Sequence, residues 1–475
     1  MARLNMIKAT KKAINDSPFS GVAKGFDEGN IASLVIVPIF RKRFGIDTQS
    51  EAEYANTKGW IVAIATAGAV VGCLACVWLT QRLGRTRTFQ LFTLIYIAGV
   101  LGQAFSNGNL AALYATRVIA GIGIGATTVL PSVYITEIAP QSIRSLLTLQ
   151  YTCCQQLGVV FGFFFNYGIT RYRDGTDVQW MLPTALQAVP AVIWGVGTLF
   201  TPETPRFLLM QGRRSEALAT LCRFRGLPED HEFIQGEFQG METQLNHEIE
   251  VVAGADTWDL VRETFADKPN RRRFILMFAC HVFGQWSVAN AITQYSPSIF
   301  GYLGIQGTES RFLATGMYAV LNRGAIAAIY LHAVAWSIGW FSIPYLVSAE
   351  VFPLRIRSIN MSVLMAVHWA MYFGCSRAMP SLLAATDRYG AFIFFLCVCS
   401  VSLVYVYLAL PETSGRSLES MDKLFDTPWY QVHKIAYPTA DDLKPAAREI
   451  VMSDDESPKG RESEGSRRHV ENRGV

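Results

Sequence analysis

The chain has 475 residues, of which 51% are hydrophobic and only 17% charged, with a formal net charge of +4. Soluble domains carry about 25% charged residues, so the deficit excludes an ordinary soluble protein and points to lipid as the solvent. The mild positive balance comes without blocks of Lys and Arg interleaved with aromatics, so no nucleic-acid partner is expected.

Residues 1–25 begin MARLNMIKATKKAINDSPF, a polar, basic stretch that reads as a cytoplasmic start without a cleavable signal peptide. An N-terminal transmembrane half is expected over 26–201. Its first apolar stretch is short, since only 12 uncharged residues, Gly29 to Phe40, follow GFDEG. Trp60–Thr80, Ser145–Thr170 and Met181–Phe200 are uncharged, and each reaches the roughly 20 residues a helix needs to cross a hydrocarbon core. Thr88–Thr116 and Val118–Thr136 bracket a single charge, Arg117. Residues 202–273 form a polar loop with ten Arg or Lys, and RRSEALATLCRFRG predicts a small helical bundle within it. A C-terminal transmembrane half is expected over 274–410, with apolar runs at Phe274–Phe300, Phe312–Ala349 and Tyr389–Leu410. The tail, 411–475, ends in SDDESPKGRESEGSRRHVENRGV and reads as disordered. Arg82, Arg85, Arg87 and Arg144 put short loops on the same side as the basic 202–273 loop, the cytoplasmic one by charge bias. We expect an integral protein of the plasma membrane with both termini cytoplasmic.

Nine cysteines sit mostly inside the apolar runs. Cys73 and Cys76 form a CxxC, which elsewhere signals redox or metal chemistry. No second CxxC or His cluster accompanies it, so buried thiols are the expectation, with no metal and no cofactor.

The two halves repeat. EIAPQSIRS at 137–145 matches EVFPLRIRS at 350–358 as E-x-x-P-x-x-I-R-S, and PETPRFL at 202 matches PETSGRS at 411. The landmarks lie 65 residues apart in the first half and 61 in the second. Two parallel repeats joined by a long loop predict a two-half helical transporter. The repeat is unequal, because the second half is short by about 46 residues, two helices and a loop. The run Phe312–Ala349 locates the gap: its 38 residues hold one charge, Arg323. As one helix it would be about 57 Å long, against a core of roughly 30 Å. Loop charges require an odd number of crossings between residues 301 and 350, and three do not fit. We expect one, Gly324–Ala349, with Phe312–Asn322 the front of a helix whose remainder is absent. Arg323 then lies at a seam near 322–324, where it snorkels toward headgroups. The expected fold is an all-α polytopic membrane protein with about ten transmembrane helices.

Taken in order, LGRTRT, RVIAGIGIG with PSVYITEIAPQSIRS, QQLG at 155–158, PETPRFL, GQWSVANAITQYSPSIF and PETSGRSLESMDKLF resemble the sugar porter family of the major facilitator superfamily. The likeness is narrower to its fungal proton-coupled sugar and quinate members, and spans residues 26–425. It implies a major facilitator fold of two parallel six-helix-type repeats, here lacking part of helix 8 and helix 9. It also implies alternating-access transport of a monosaccharide, a related polyol or quinate, with a proton and without covalent chemistry; the chain is not expected to be an enzyme. The expected partners are the sugar or polyol, a proton and the lipid bilayer. Gly121, Gly123 and Gly125 are expected to permit close helix approach; they are no dinucleotide loop, since no strand precedes them.

A polyol leaving water must recover its hydrogen bonds, and an amide offers both donor and acceptor. Gln156, Gln285 and Asn290 are such amides, and Tyr345 and Trp369 offer aromatic faces to sugar C–H groups. The resemblance places these five at the family's substrate positions; interhelical bonding and core packing are the competing readings. Gly284–Gln285, Val288 and His368 depart from the family's usual glutamine pair, glycine and asparagine, which bears on substrate choice. For proton coupling, the resemblance matches Asp27 to the first-helix acid and Arg117 to the fourth-helix arginine. An ionised carboxylate would pair with the guanidinium until protonation released it. A loop carboxylate competes with that reading, because Lys24 and Asp16 stand where the family's first helix begins apolar. Arg85, Glu137, Arg144, Glu203, Arg206, Glu350, Arg357 and Glu412 are implied as salt bridges that close a cytoplasmic gate, a network able to bias a rocking equilibrium; a solvated charged surface is the alternative. Against a working transporter stand a transport-defective truncated variant and a nutrient-sensing homologue.

Overall fold

The structure, a computed structural model, describes residues 19–138, 144–173, 175–252, 257–287, 289–302, 351–386, 389–411, 424–425 and 427–435, with 336, 339–340, 344 and 347–348. The predicted seam at 322–324, Tyr345, Glu350 and Glu412 lie outside these residues. Every regular element among the described residues is helical. In lipid this follows from the backbone, because a helix satisfies its own N–H and C=O groups without water.

In chain order the helices are α1 (Phe19–Leu34), α2 (Pro38–Arg43), α3 (Glu51–Leu83), α4 (Arg85–Ala104), α5 (Leu110–Ile138) and α6 (Arg144–Tyr172). They continue with α7 (Val178–Leu186), α8 (Ala188–Phe200), α9 (Pro205–Met210), α10 (Arg214–Arg225) and α11 (Glu232–Val252). The remainder are α12 (Thr257–Ala266), α13 (Lys268–Gln285), α14 (Ala289–Tyr302), α15 (Leu354–Ala385) and α16 (Tyr389–Ala409). Among the described residues, Glu51–Leu83, Leu110–Ile135, Val178–Phe200 and Tyr389–Ala409 are long and apolar enough to cross a membrane. α16 displays lipid as its solvent, with Leu396, Leu403, Val404 and Tyr407 all exposed.

The chain forms two compact units: Met1–Gly254 with His281–Ser342 and Met361–Cys399, and Ala255–Cys280 with Ile343–Asn360 and Ser400–Val475. Within the first, glycines set how closely the helices approach. A Cβ on Gly25 of α1 would lie 1.9 Å from the Gln155 carbonyl oxygen of α6, and one on Gly158 would lie 2.3 Å from that of Val22. α3 and α5 interlock in the same reciprocal way. A Cβ on Gly72 would sit 2.0 Å from the Ile122 carbonyl oxygen, and one on Gly121 would sit 1.9 Å from that of Ala65. Gly123, on the opposite side of α5, faces Tyr96 of α4. The RVIAGIGIG segment thus lets α5 pack tightly on two neighbours, as small residues allow where no hydrophobic effect drives helices together.

Two local features differ from the expected runs. The span predicted at Phe274–Phe300 is broken into α13, which ends at Gln285, and α14, which begins at Ala289. The Ser287 hydroxyl turns back to the Gly284 carbonyl at 2.8 Å, and Trp336 Nε1 donates to the same oxygen at 3.2 Å. Side chains thereby satisfy a backbone group that the break frees. The segment around Asp27 is helix rather than loop, since α1 runs for 16 residues and buries both Lys24 and Asp27. The polar 202–273 segment does fold into short helices. α10 and α11 are tied by Arg214–Glu242, and Arg214's hydrogen bonds hold the Glu242 carboxyl below its ordinary pKa.

Replacing Gly72 with leucine drives a side chain into the α5 backbone. Overpacking costs about 1–3 kcal/mol, and a backbone obstacle cannot rotate away. Gly72→Leu is expected to lower the melting temperature of the detergent-solubilised protein by several degrees, measured by tryptophan fluorescence. Gly168→Ala, where a Cβ meets nothing within 4 Å, should leave it unchanged or slightly raised.

Candidate functional site

Four charged side chains converge in the first unit. Lys24, Asp27 and Glu28 come from one turn of α1, and Arg117 comes from α5. With Gln294 of α14 and Trp369 and Tyr372 of α15 they line a cavity with about 330 Å³ of space between atoms, part of it open to solvent. A second cavity, of about 250 Å³, is lined by Lys24, Thr93, Tyr96, Thr127 and Trp194. Lys24 lines both.

Arg117 Nη1 stands 3.6 Å from Asp27 Oδ1 and donates to Gln103 Oε1 at 3.1 Å, while Nη2 donates to the Val62 carbonyl at 3.4 Å. Both members of the pair are buried, Arg117 at 1% exposure and Asp27 at 4%. Lys24 Nζ lies 4.0 Å from Glu28 and donates to Gln155 Oε1 at 3.4 Å. Gln155 Nε2 in turn donates to Glu28 at 3.4 Å. The ammonium also stands 5.0 Å over the Trp369 ring, which stacks on Tyr372. The Tyr372 hydroxyl accepts from Gln294 Nε2 at 3.2 Å and engages the Glu28 carboxylate.

Of the five residues expected to bind substrate, Trp369 lines the cavity. Gln285 and Asn290 meet at the α13–α14 break, where Asn290 donates to Gln285 Oε1 at 2.6 Å and Gln285 Nε2 lies 3.0 Å from His368. They stand beside the cavity lining rather than in it. Gln156 is exposed, beside the outward apolar face that carries Leu157, Val160 and Phe161. Its neighbour Gln155 is the buried amide, because Gly158 turns that side of α6 onto α1. The sequence reading missed Gln155, Glu28, Gln294 and Tyr372. The available signals were Lys24 and Glu28 at i,i+4 spacing, and Tyr372 three residues after Trp369.

The implied gate charges fall into several environments. Arg85 Nη2 pairs with Glu137 Oε1 at 2.6 Å, and the Thr204 hydroxyl donates to Glu137 Oε2 at 2.6 Å. Glu203 accepts from the backbone N–H groups of Arg85 and Thr86 at 3.0 and 3.1 Å. Its carboxylate therefore caps the N-terminus of α4, a placement the helix dipole favours. Gly84, at φ +91° and directly against this carboxylate, leaves no room for a side chain. Arg357 donates to the Phe352 carbonyl at 2.9 and 3.0 Å, and Arg206 is half-buried. Arg144 begins α6. Two further ion pairs lie outside the implied set. Arg225, buried at 1% exposure, grips Glu237 with two bonds and donates to the Ile138 carbonyl, while Arg355 pairs with Glu263 at 2.8 Å.

The chain matches the family model described as "Sugar (and other) transporter" over residues 18–325 and 319–425. It is 29% identical to a probable quinate permease of Aspergillus niger, over 87% of this chain and 88% of that one. It is 28% identical to a quinate permease of Neurospora terricola, over 88% and 89%. Among solved structures, the MFS proton:xylose symporter XylE bound to 6-bromo-6-deoxy-D-glucose superposes with a TM-score of 0.71 at 19% identity, covering 88% of this chain and 99% of that one. XylE from E. coli in a partially occluded inward-open state gives 0.70 at 18% identity, covering 86% and 100%. At these identities the superpositions speak for the fold.

Removing one partner of a buried ion pair leaves an uncompensated charge, at a cost of about 3–5 kcal/mol. Arg117→Leu is therefore expected to destabilise strongly, and Arg117→Leu with Asp27→Asn to recover part of the loss. Melting temperatures of the purified variants, compared in one detergent, check this.

Proposed function

The chain is a membrane transporter of the Sugar (and other) transporter family, and we propose that it carries a monosaccharide, a related polyol or quinate together with a proton, by alternating access. The observation that carries this reading is the Asp27–Arg117 pair, buried beside a polar, aromatic-lined cavity. An ionised carboxylate attracts the guanidinium; protonation weakens the pair and frees the helices that carry it. Asp27 is on α1 and Arg117 on α5, so the proton's arrival changes a contact between helices that also line the cavity. The names of the relatives favour quinate, and the superposed XylE is a proton symporter for xylose. Trp369 supplies an aromatic face, and Gln285, Asn290 and Tyr345 are retained as supporting contacts. Gln155 replaces Gln156 as the α6 amide we assign to the site.

We place the protein in the plasma membrane with both termini cytoplasmic, because the short arginine-bearing loops and the basic 202–273 segment share one side. On that side the Arg85–Glu137–Thr204 cluster, with Glu203 capping α4, is assigned to closing the inner gate. Arg144, Arg206, Glu350, Arg357 and Glu412 are assigned to the same gate on their place in the repeat. We propose domain boundaries near 201, 273 and 410, with the first transmembrane half beginning at α1 rather than at residue 26.

One observation favours a second reading, a truncated variant that no longer transports. The family model matches in two segments that meet at residues 319–325, at the predicted seam. The alignment with the A. niger permease also runs 474 positions while using 87% of this chain, so that relative has residues with no counterpart here. Uptake of radiolabelled quinate and xylose into transporter-deficient cells separates the readings. Accumulation abolished by a protonophore supports symport; accumulation indifferent to it removes the proton from the mechanism. No uptake from correctly targeted protein selects the defective variant. Asp27→Asn is expected to lose concentrative uptake by at least about tenfold while retaining exchange of labelled for unlabelled substrate.

A further inference from the structure

The charges around the cavity invite a count. Its charged lining residues are Lys24, Arg117, Asp27 and Glu28, two of each sign. Asp27 and Arg117 account for one pair. Lys24 and Glu28 form the other, and that pair is loose. The ammonium reaches its carboxylate only at 4.0 Å and a neutral amide at 3.4 Å, both long for charge-assisted contacts, which favour about 2.7–2.9 Å. An ammonium has three protons to donate, so a buried lysine held this way retains binding capacity. Lys24 is 7% exposed and lines both cavities. Other polar atoms at these walls also lack hydrogen-bond partners among the described residues: Trp369 Nε1 and Gln294 Oε1 in the first cavity, Thr93 Oγ1 and Trp194 Nε1 in the second.

We propose that Lys24 anchors a substrate carboxylate, and that the cavity selects a hydroxylated monocarboxylate over a neutral sugar. The inference rests on the transport reading above and narrows its substrate. The carboxylate docks on the Lys24 ammonium, which turns from its loose contacts with Glu28 and Gln155. Gln294 Oε1 and Glu28 are acceptors for the substrate's hydroxyls, and the Trp369 indole N–H is a donor. Trp369 and Tyr372 cover the apolar face of the ring.

Charge balance supports the same choice. The charged residues that line the cavity are neutral by count. A neutral sugar entering with a proton on Asp27 would leave one uncompensated positive charge in a buried site, which is strongly unfavourable. A monocarboxylate entering with that proton leaves the sum at zero. The groups that face Asp27 include Arg117, Tyr96, Glu28 and Tyr372. Those that face Lys24 are Glu28, Gln155, Trp369 and His368. Cotransport of one monoanion with one proton is electroneutral, so it responds to a pH gradient and not to membrane voltage.

The test uses purified full-length protein. Binding is read as thermal stabilisation by quinate and by xylose, and transport is read in proteoliposomes. Quinate should stabilise the protein at concentrations at least about tenfold below those at which xylose does. Lys24→Gln with Glu28→Gln removes both charges without leaving either unpaired, and should raise the half-saturating quinate concentration by about tenfold or more. Lys24→Arg should largely retain quinate binding. Inward proton gradients should drive quinate uptake, and a potassium diffusion potential at equal pH should not. Quinate binding unchanged in the double variant, preference for xylose, or quinate uptake driven by voltage would each overturn the proposal. If quinate binds through Lys24 but neither compound crosses the bilayer, the anchor stands and the transport reading fails. If xylose is carried and quinate neither binds nor crosses, transport stands and the anchor fails.

Discussion

A charge in the middle of a membrane helix must find its counter-charge inside the protein, because lipid offers neither hydration nor ions. Lys24, Asp27 and Glu28 lie within one turn of α1, and a helix carrying three such groups would not stay in a bilayer alone. Arg117 from α5, Gln155 from α6 and Tyr372 from α15 make it tolerable. The cavity is thus the place where the chain's most expensive residues are solvated by one another. A buried polar network of this kind has consequences whenever a proton or ligand arrives, since each member's comfort depends on the others. The Asp27–Arg117 contact at 3.6 Å and the Lys24–Glu28 contact at 4.0 Å are both looser than closed ion pairs. Looseness suits groups that exchange partners during a cycle.

The glycines are what bring those counter-charges within reach. Gly25, Gly29, Gly158 and Gly162 let α1 and α6 touch backbone to backbone, which places Gln155 beside Lys24 and Glu28. Gly68, Gly72, Gly121 and Gly125 do the same for α3 and α5, and bring the Val62 carbonyl to Arg117. Close packing also keeps water out, which strengthens every electrostatic contact inside. At the other end of the first unit, Glu203 spends its carboxylate on two free N–H groups of α4 instead of on a guanidinium. The Arg85–Glu137 pair is thereby built onto a capped, rigid helix end.

Class, topology and the acid–arginine pair were legible in the sequence because each rests on a long pattern: uncharged runs near 20 residues, a repeated E-x-x-P-x-x-I-R-S, and motifs in fixed order. The binding wall was less legible because it depends on helix phase, which no run length reveals. Gln155 and Gln156 are chemically identical, and only the side of α6 that carries Gly158 and Gly162 decides which is buried. Lys24 and Glu28 looked like departures from an apolar helix start, a weak signal until Gln155, Trp369 and Tyr372 are seen around them. The break after Gln285 sits in an unbroken apolar run. Its clue was Ser287, whose hydroxyl competes for the Gly284 carbonyl.

The shortfall expected near residue 322 bears on the cavity in a specific way. Among the described residues, those that line it lie at or before Gln294 or at or after Trp369. The Asp27–Arg117 pair, the Lys24–Glu28 pair and the Arg85–Glu137 cluster are likewise carried by helices on the near side of the seam. The expected shortfall of about two helices in the second repeat therefore leaves these described groups in place. What such a shortfall would change is the symmetry on which rocking depends, since alternating access works by moving one repeat against its counterpart. Binding and translocation are separable demands on the sequence, and a chain can keep the first while the second is altered. Lys24 and Glu28 lie on α1, in the first of the two expected repeats, so the recognition we propose for them does not depend on the expected seam.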